Sequence, residues 1–314
     1  LRNFIYTYSS YILAILIGDN LLGLRLVSVV FGIGTIGATY IFVRKLLGKP
    51  PAIMASLLMS ISSYFIFHSF HGKHYMMVLF FYIWFLYLIC FHTPSEKKFQ
   101  FSFLAILLGL NYEYVFLFIP LLLILTLKKH RSYLFPLILI SFCFIIQYVV
   151  MSKWISLTLP GFEPTTTNLV TINFLAKDFF TLGIKKLAFL ISPLRLVLLF
   201  LTAVIVVLKK RIKLNPIISI FLFQLLIEAI FFSFFFQKNP IRYRQSLLFL
   251  IIVFTSYLYL ILSSSIKKKA AVTIILLSIV IYFLTPVNIN YPPTSNYAKD
   301  NLMYNYRILY SLYY

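Results

Sequence analysis

The chain has 314 residues, of which 61% are hydrophobic and 11% are charged, and its mean hydropathy is +0.95. A water-soluble domain of this size leaves much of its surface wet and carries about a quarter charged residues, so this composition excludes a soluble fold and indicates a bilayer protein. The formal net charge of +21 does not indicate binding to nucleic acid, because the basic residues form short clusters between apolar stretches of membrane-spanning length.

The chain begins with a stretch that favours the membrane interface. Residues 4–18 are too few and too rich in Tyr and Ser for a crossing, and we expect a helix on the outer face with Tyr6, Tyr8 and Tyr11 at headgroup level. The first residue is Leu and no signal-peptide pattern precedes this stretch, so we expect a chain truncated at its N-terminus.

Eight apolar stretches are long enough to cross the hydrocarbon core as single helices. Helices are required there, because open strands would leave peptide groups unpaired in lipid. The stretches are 24–43, 51–68, 75–91, 133–151, 187–208, 216–236, 245–264 and 270–287.

Residues 99–128 could form one long crossing or two short helices that meet at residues 111–113. Two helices are favoured, because five short loops with 15 of the 28 basic residues then lie on one side, which the positive-inside rule makes cytoplasmic. The basic residues are Arg44, Lys45, Lys49, Lys97, Lys98, Lys128, Lys129, Arg131, Lys209, Lys210, Arg211, Lys213, Lys267, Lys268 and Lys269. The sequence thus predicts an all-α polytopic transmembrane helical bundle with about ten crossings, one short helical hairpin included, and interfacial helices on the outer face.

We expect a single transmembrane domain over residues 1–287, with an outer loop and interfacial helix at 152–187. Residues 288–314 are expected to form an extracytoplasmic tail, at the start of a further C-terminal region. The predicted location is the plasma membrane of a prokaryote. The chain is expected to cross this membrane many times and to contact its lipids.

Histidines are concentrated on the predicted outer side, in the stretch 68–75. His68, His71 and His74 are spaced three residues apart, so two of them, such as His71 and His74, could share one divalent metal ion. The three histidines with Glu113 would form a ligand set. The alternative is a solvated loop with interfacial histidines and no metal cofactor.

Carboxylates and arginines at membrane depth are the other polar candidates. Glu113 and Glu228 are costly in lipid and indicate a function or a partner, although Glu228 could instead pair with a cation or with Gln224 one turn earlier as a packing device. Arg242 and Arg244 lie on the outer side against the positive-inside bias and could hold a phosphate, with ordinary phospholipid as the alternative ligand.

Several motifs follow one another between about residues 4 and 265 in a recognisable order. They are the stretch 18–32 with Arg25, Leu26, Ser28, Phe31 and Gly32, the basic loop 46–49, the serines Ser60 and Ser62, the stretch 68–75, the pair Asn111 and Tyr112, and the pair Arg242 and Tyr243. In order, spacing and side they resemble the GT-C membrane glycosyltransferases, in particular the branch of protein mannosyltransferases and lipid A aminoarabinose transferase (glycosyltransferase family 39).

The resemblance implies an inverting transfer of a sugar from a polyprenyl-phosphate donor to an acceptor lipid, glycan or protein at the extracytoplasmic face. It implies that donor phosphate is held by a set of cationic and aromatic residues. They are Lys73, Tyr75, Arg242, Tyr243 and Arg244.

The chain departs from the family pattern at the acidic positions. The family's principal acid lies upstream of residue 1, which leaves Glu113 and Asp19 as candidate catalytic carboxylates. His71 stands where a second acid is frequent, and Lys73 stands where the family has Arg. The alternative functions are a secondary transporter or lipid flippase, and a non-catalytic membrane scaffold.

Overall fold

The computed structural model describes residues 4–70, 74–110, 115–128, 131–158, 216–230 and 244–265. These residues form ten α-helices and one 3-10 turn, Arg131–Tyr133, and contain no strand, which confirms the predicted all-α class for this part of the chain. The helices are α1 Phe4–Ile17, α2 Asn20–Leu47, α3 Lys49–Ser60, α4 Ser63–Phe70, α5 Tyr75–Phe91, α6 Lys98–Gly109, α7 Val115–Lys128, α8 Leu134–Thr158, α9 Pro216–Ile230 and α10 Arg244–Ser265.

Helix α2 is the one helix of the described residues that is long and apolar enough to cross a membrane by length and composition, with 28 residues. Asp19 precedes the helix as its N-cap, with a side chain that accepts from the amides of the first turn. Arg44 and Lys45 lie in the last turn, where cations are stabilised by the negative end of the helix dipole. Gly48 reverses the chain with a φ of 96°, a conformation that favours glycine.

The predicted crossing 51–68 is not one helix, since the structure divides it into α3 and α4. The Ser60 hydroxyl donates to the Leu57 carbonyl at 2.9 Å, and the Ser62 amide donates to the Met59 carbonyl at 3.2 Å. Bonds to the third residue back tighten the last turn and end the α-helix. The helix α8 also extends beyond the predicted limit of its crossing, to Thr158.

The predicted division of residues 99–128 into two short helices is found as α6 and α7, which both pack on α8. Gly109 allows the close approach of α6 to α8. A Cβ atom added at Gly109 would lie 2.6 Å from the Cys143 Cβ atom and 3.0 Å from the Ile140 carbonyl oxygen.

Basic residues from three predicted cytoplasmic loops lie at one end of the described helices. The Lys45 ammonium donates to the Tyr87 hydroxyl at 3.1 Å, near the end of α5. The Tyr133 hydroxyl, in the turn after α7, donates to the His92 carbonyl at 3.3 Å. Partial burial and then the charges of Lys45 and Lys97 lower the pKa of His92. We call this end of the bundle the basic end.

Large apolar side chains remain exposed along the outer side of α8. Ile138, Phe142 and Ile145 are 58%, 58% and 57% exposed, and their spacing places them on one helix face. Such a face is compatible with contact to lipid chains, as the composition predicts.

Gly109→Val should destabilise the protein by about 1–3 kcal/mol, because the branched side chain would overpack the contact between α6 and α8. Thermal unfolding in detergent measures the effect. Gly37→Ala is the matched control, since a Cβ atom there meets nothing within 4 Å and Ala favours a helix. Equal midpoints for the two variants would contradict the observed packing.

Candidate functional site

Tyr82, in the middle of α5, is the residue at which several helices meet. It is fully buried, and its ring lies 5.0 Å from the Phe118 ring of α7 and 6.4 Å from the Phe249 ring of α10, measured between centroids. Its hydroxyl donates to the Glu228 carboxyl group of α9. Three helices therefore contact this one side chain of α5 in the core.

Helices α5 and α7 run in the same direction. Phe118, near the start of α7, contacts Tyr82 at the middle of α5, whereas Tyr133, just after the end of α7, reaches His92 just after the end of α5. The start of α7 is therefore farther from the basic end than its last turn.

Helix α10 also runs in this direction. Ser246, in its first turn, lies beside Glu228, whose carboxyl group accepts from Tyr82. Phe249, one turn later, lies 5.6 Å from Phe42, and Phe42 lies 5.6 Å from Phe91 at the end of α5. The starts of α5, α7 and α10 are therefore directed away from the basic end.

The sequence predicts nine residues for the catalytic, phosphate-binding and metal sites. Four of them belong to the residues that the structure describes, and five do not. Asp19, His74 and Tyr75 are described with their side chains, and the backbone of Arg244 begins α10. Those outside the described residues are His71, Lys73, Glu113, Arg242 and Tyr243.

Tyr75 is buried in an aromatic cluster at the start of α5. Its ring centroid lies 5.1 Å from that of His68 and 4.5 Å from that of His74. His74 in turn contacts Tyr6 of α1, at 6.3 Å between ring centroids. This cluster joins α1, α4 and α5 at the end of the bundle opposite the basic end.

The cluster offers two imidazoles, and no carboxylate of the described residues is grouped with them. Among the described residues, no three His, Cys, Asp or Glu side chains are grouped so that they could hold a metal ion. The predicted partner of His74, His71, lies outside these residues, so the metal site stays a prediction.

Tyr6 differs from its predicted place at headgroup level. It is 5% exposed, whereas Tyr8 and Tyr11 are 50% and 62% exposed. The Tyr6 hydroxyl donates to the Leu24 carbonyl at 2.8 Å and lies 2.9 Å from the Ser28 hydroxyl, so it attaches α1 to α2. Burial raises the pKa of Tyr6, which keeps the hydroxyl in its neutral form.

Asp19 has an identifiable local role. Its carboxylate accepts from the Leu21 and Leu22 amides at 2.7 and 3.0 Å, as an N-cap residue does. The carboxylate is exposed at the start of α2, and its candidate catalytic role stays a prediction.

A buried polar cluster around Glu228 lies deeper in the bundle. Glu228, Gln224 and Ser246 are each 0% exposed, and Gln224 Nε2 donates to Glu228 Oε1 at 2.9 Å. The spacing of four residues could be recognised in the sequence, since it places both side chains on one helix face. The contribution of Tyr82 could not, because this residue comes from another helix.

The described helices and their composition define a helical membrane protein with polar and aromatic side chains gathered at one end. Residues 4–156 match the family described as dolichyl-phosphate-mannose-protein mannosyltransferase, a family of membrane-integral glycosyltransferases. This match confirms the resemblance to membrane glycosyltransferases that the sequence motifs predicted, over the residues from α1 into α8. No curated protein and no solved structure gave a significant match to the chain.

Asp19→Asn should leave stability close to that of the wild type, because Asn caps a helix about as well as Asp. Asp19→Ala should lower stability by about 1 kcal/mol through loss of the cap. Thermal unfolding and a transfer assay on the same preparations measure both effects. Loss of transfer in Asp19→Asn at normal stability would instead assign a catalytic role to this carboxylate.

Proposed function

We propose that this chain transfers a sugar from a polyprenyl-phosphate donor to an acceptor at the extracytoplasmic face of the membrane. The observation that carries the proposal is the common direction of α5, α7 and α10, which start away from the basic end and meet at Tyr82. Each of these helices is preceded or opened by one of the predicted polar motifs. The motifs are Lys73 to Tyr75, Asn111 to Glu113 and Arg242 to Arg244.

Helix geometry supports a common site. Tyr75 precedes Tyr82 by seven residues, which is about 10 Å along α5 on nearly the same face. Arg244 lies two residues before Ser246, which is about 3 Å along the axis of α10. Lys73 and Arg242 adjoin these two helix starts, so the proposed site lies outward of Tyr82, between the starts of α5 and α10.

The chemistry of this region suits a lipid phosphate. Arg presents a planar set of donors that matches phosphate oxygens, and Lys adds a point charge. The amides in the first turn of α10 add the positive end of a helix dipole beside Arg244. Cations fixed around the phosphate would stabilise the negative charge that develops when the bond from sugar to phosphate breaks.

An inverting transfer requires a base for the acceptor hydroxyl on the face opposite the leaving phosphate. We assign Glu113 as the candidate base in this chain, with Asp19 as the other candidate. Glu113 lies two residues before α7, whose Phe118 contacts Tyr82, so the connection of the hairpin adjoins the same region outward of Tyr82.

The proposed topology follows from the same helix directions. The basic end faces the cytosol, the chain crosses the plasma membrane of a prokaryote about ten times, and residues 1–287 form one membrane domain with residues 288–314 outside. This orientation puts the starts of α5, α7 and α10 on the extracytoplasmic side, where the donor sugar would be used.

Arg242→Ala and Arg244→Ala should each weaken binding of a polyprenyl-phosphate sugar by about 1.5–3 kcal/mol, because each removes a charged hydrogen bond to the phosphate. Lys209→Ala, at the predicted cytoplasmic side, is the matched loss of one positive charge. Binding to the purified protein in lipid nanodiscs is the measurement. Wild-type affinity in both arginine variants would remove them from the donor site.

The topology predicts opposite labelling of two single cysteines in a variant that lacks Cys90 and Cys143. A membrane-impermeant maleimide should label Thr165→Cys in intact cells and should label Lys210→Cys only after the membrane is opened. The positive-inside rule gives the reason, since Lys210 lies in one of the basic loops. The reverse labelling would place the proposed site in the cytosol and reject the extracytoplasmic reaction.

A further inference from the structure

Two lysines stand at the start of α6, in a part of the basic end that the proposed reaction does not use. Lys97 precedes α6 and Lys98 is its first residue, and both side chains are exposed. The Lys98 ammonium lies 5.3 Å from the centroid of the Phe135 ring, at the start of α8. A cation that rests on an aromatic ring is held in place at the surface by the attraction between charge and ring.

Helices α6 and α8 lie side by side and run in the same direction. Lys98 meets Phe135 where the two helices start. At the end of α6, a Cβ atom added to Gly109 would lie 2.6 Å from the Cβ atom of Cys143. Both starts belong to the basic end, since the turn that contains Tyr133 directly precedes α8.

Exposed apolar side chains follow directly after the two lysines. On α6, the rings of Phe99 and Phe103 stack at 6.3 Å between centroids, and Phe99 is 80% exposed. Ile106 continues the same helix face. On α8, exposed apolar residues extend from Leu134 to Ile145, a rise of about 16 Å, which is about half of a hydrocarbon core of about 30 Å. The two helices therefore offer apolar contact through about one leaflet, with cations at its edge.

The electrostatic field beside the start of α6 is positive. At His92, the charges of Lys45 and Lys97 lower the pKa of the imidazole together with its partial burial, which has the largest effect. Glu96 acts in the opposite direction, and its effect is smaller than that of either lysine. A place where cations disfavour a further positive charge favours an anion.

We propose that α6 and α8 together bind one anionic phospholipid, whose phosphate lies at Lys97 and Lys98 and whose acyl chains lie along the exposed apolar faces of the two helices. A soluble anion would leave these apolar faces uncovered, and a zwitterionic lipid would gain less from the two cations. The site lies at the end of the bundle opposite the proposed donor site, so it stands or falls independently of the sugar transfer.

Photoactivatable lipids with a diazirine group in one acyl chain test the site on the full chain in lipid nanodiscs. Phosphatidylglycerol is the anionic probe and phosphatidylcholine the zwitterionic probe, and peptide mass spectrometry locates the cross-links. In the wild type, phosphatidylglycerol should cross-link to α6 and α8 at least about fivefold more than phosphatidylcholine. This ratio corresponds to about 1 kcal/mol, the contribution of one lysine at an anionic surface. The double variant Lys97→Gln with Lys98→Gln should cross-link equally to both lipids.

Three control variants separate charge from apolar contact. Lys97→Arg combined with Lys98→Arg keeps both charges and should keep the preference for phosphatidylglycerol. Arg25→Gln removes one exposed positive charge from the other end of α2 and should keep it as well. Phe103→Ala should reduce cross-linking of both lipids by the same factor, because it removes apolar contact and no charge. Thermal unfolding of each variant checks that it is folded.

Equal cross-linking of the two lipids to the wild type would overturn the proposal. An unchanged preference in the folded double glutamine variant would do the same, since the lysines would then not select the lipid. Sodium phosphate and sodium chloride are finally compared at equal ionic strength, so that screening is the same. A larger loss of phosphatidylglycerol cross-links in phosphate would assign the lysines to free phosphate and reject the lipid.

Discussion

The hydroxyl of Tyr82 donates a hydrogen bond to the carboxyl group of Glu228, and this contact joins α5 to α9 in the core. Both side chains are fully buried, and the aromatic rings of Phe118 and Phe249 pack against Tyr82 from two other helices. Because a buried hydrogen bond tolerates only a narrow range of distances and angles, this contact restricts how far α5 and α9 can move relative to each other. Because α5, α7 and α10 run in the same direction past Tyr82, the chain segments that precede these three helices lie toward the same end of the bundle.

The positions of the basic residues relate the directions of these helices to the two sides of the membrane. Lys45 and Tyr133 bring basic loops together where α2 and α5 end, and clustered cations of this kind are retained on the cytosolic side. The neutral Tyr6 hydroxyl and the rings of His74 and Tyr75 lie at the other end of α5. Polar groups of this end are therefore separated from the basic loops by an apolar layer, in which aromatic side chains fill the space between helices.

The sequence predicted well what depends on neighbouring residues. The apolar runs predicted the bounds of α2, α5 and α10 to within a few residues. The positions of the basic loops predicted that residues 99–128 form two short helices, which are α6 and α7. It could not predict the break between α3 and α4, because serines within an apolar run are also common in uninterrupted crossings. The pair Gln224 and Glu228 was accessible from helical spacing, but Tyr82 was not, since it lies in a continuous apolar helix and is 146 residues away from its carboxyl partner.

The sequence places basic residues beside the starts of α5 and α10, and they have a consequence for the proposed phosphate binding. A cation near the start of a helix meets the positive end of the helix dipole, so Arg244 is placed where its charge is least favoured by its own helix. An anion bound there relieves both repulsions at once, and a phosphate can accept hydrogen bonds from the guanidinium group and from the amides of the first turn. If this end holds the donor phosphate, as proposed, it would favour a lipid-linked anion over a neutral lipid.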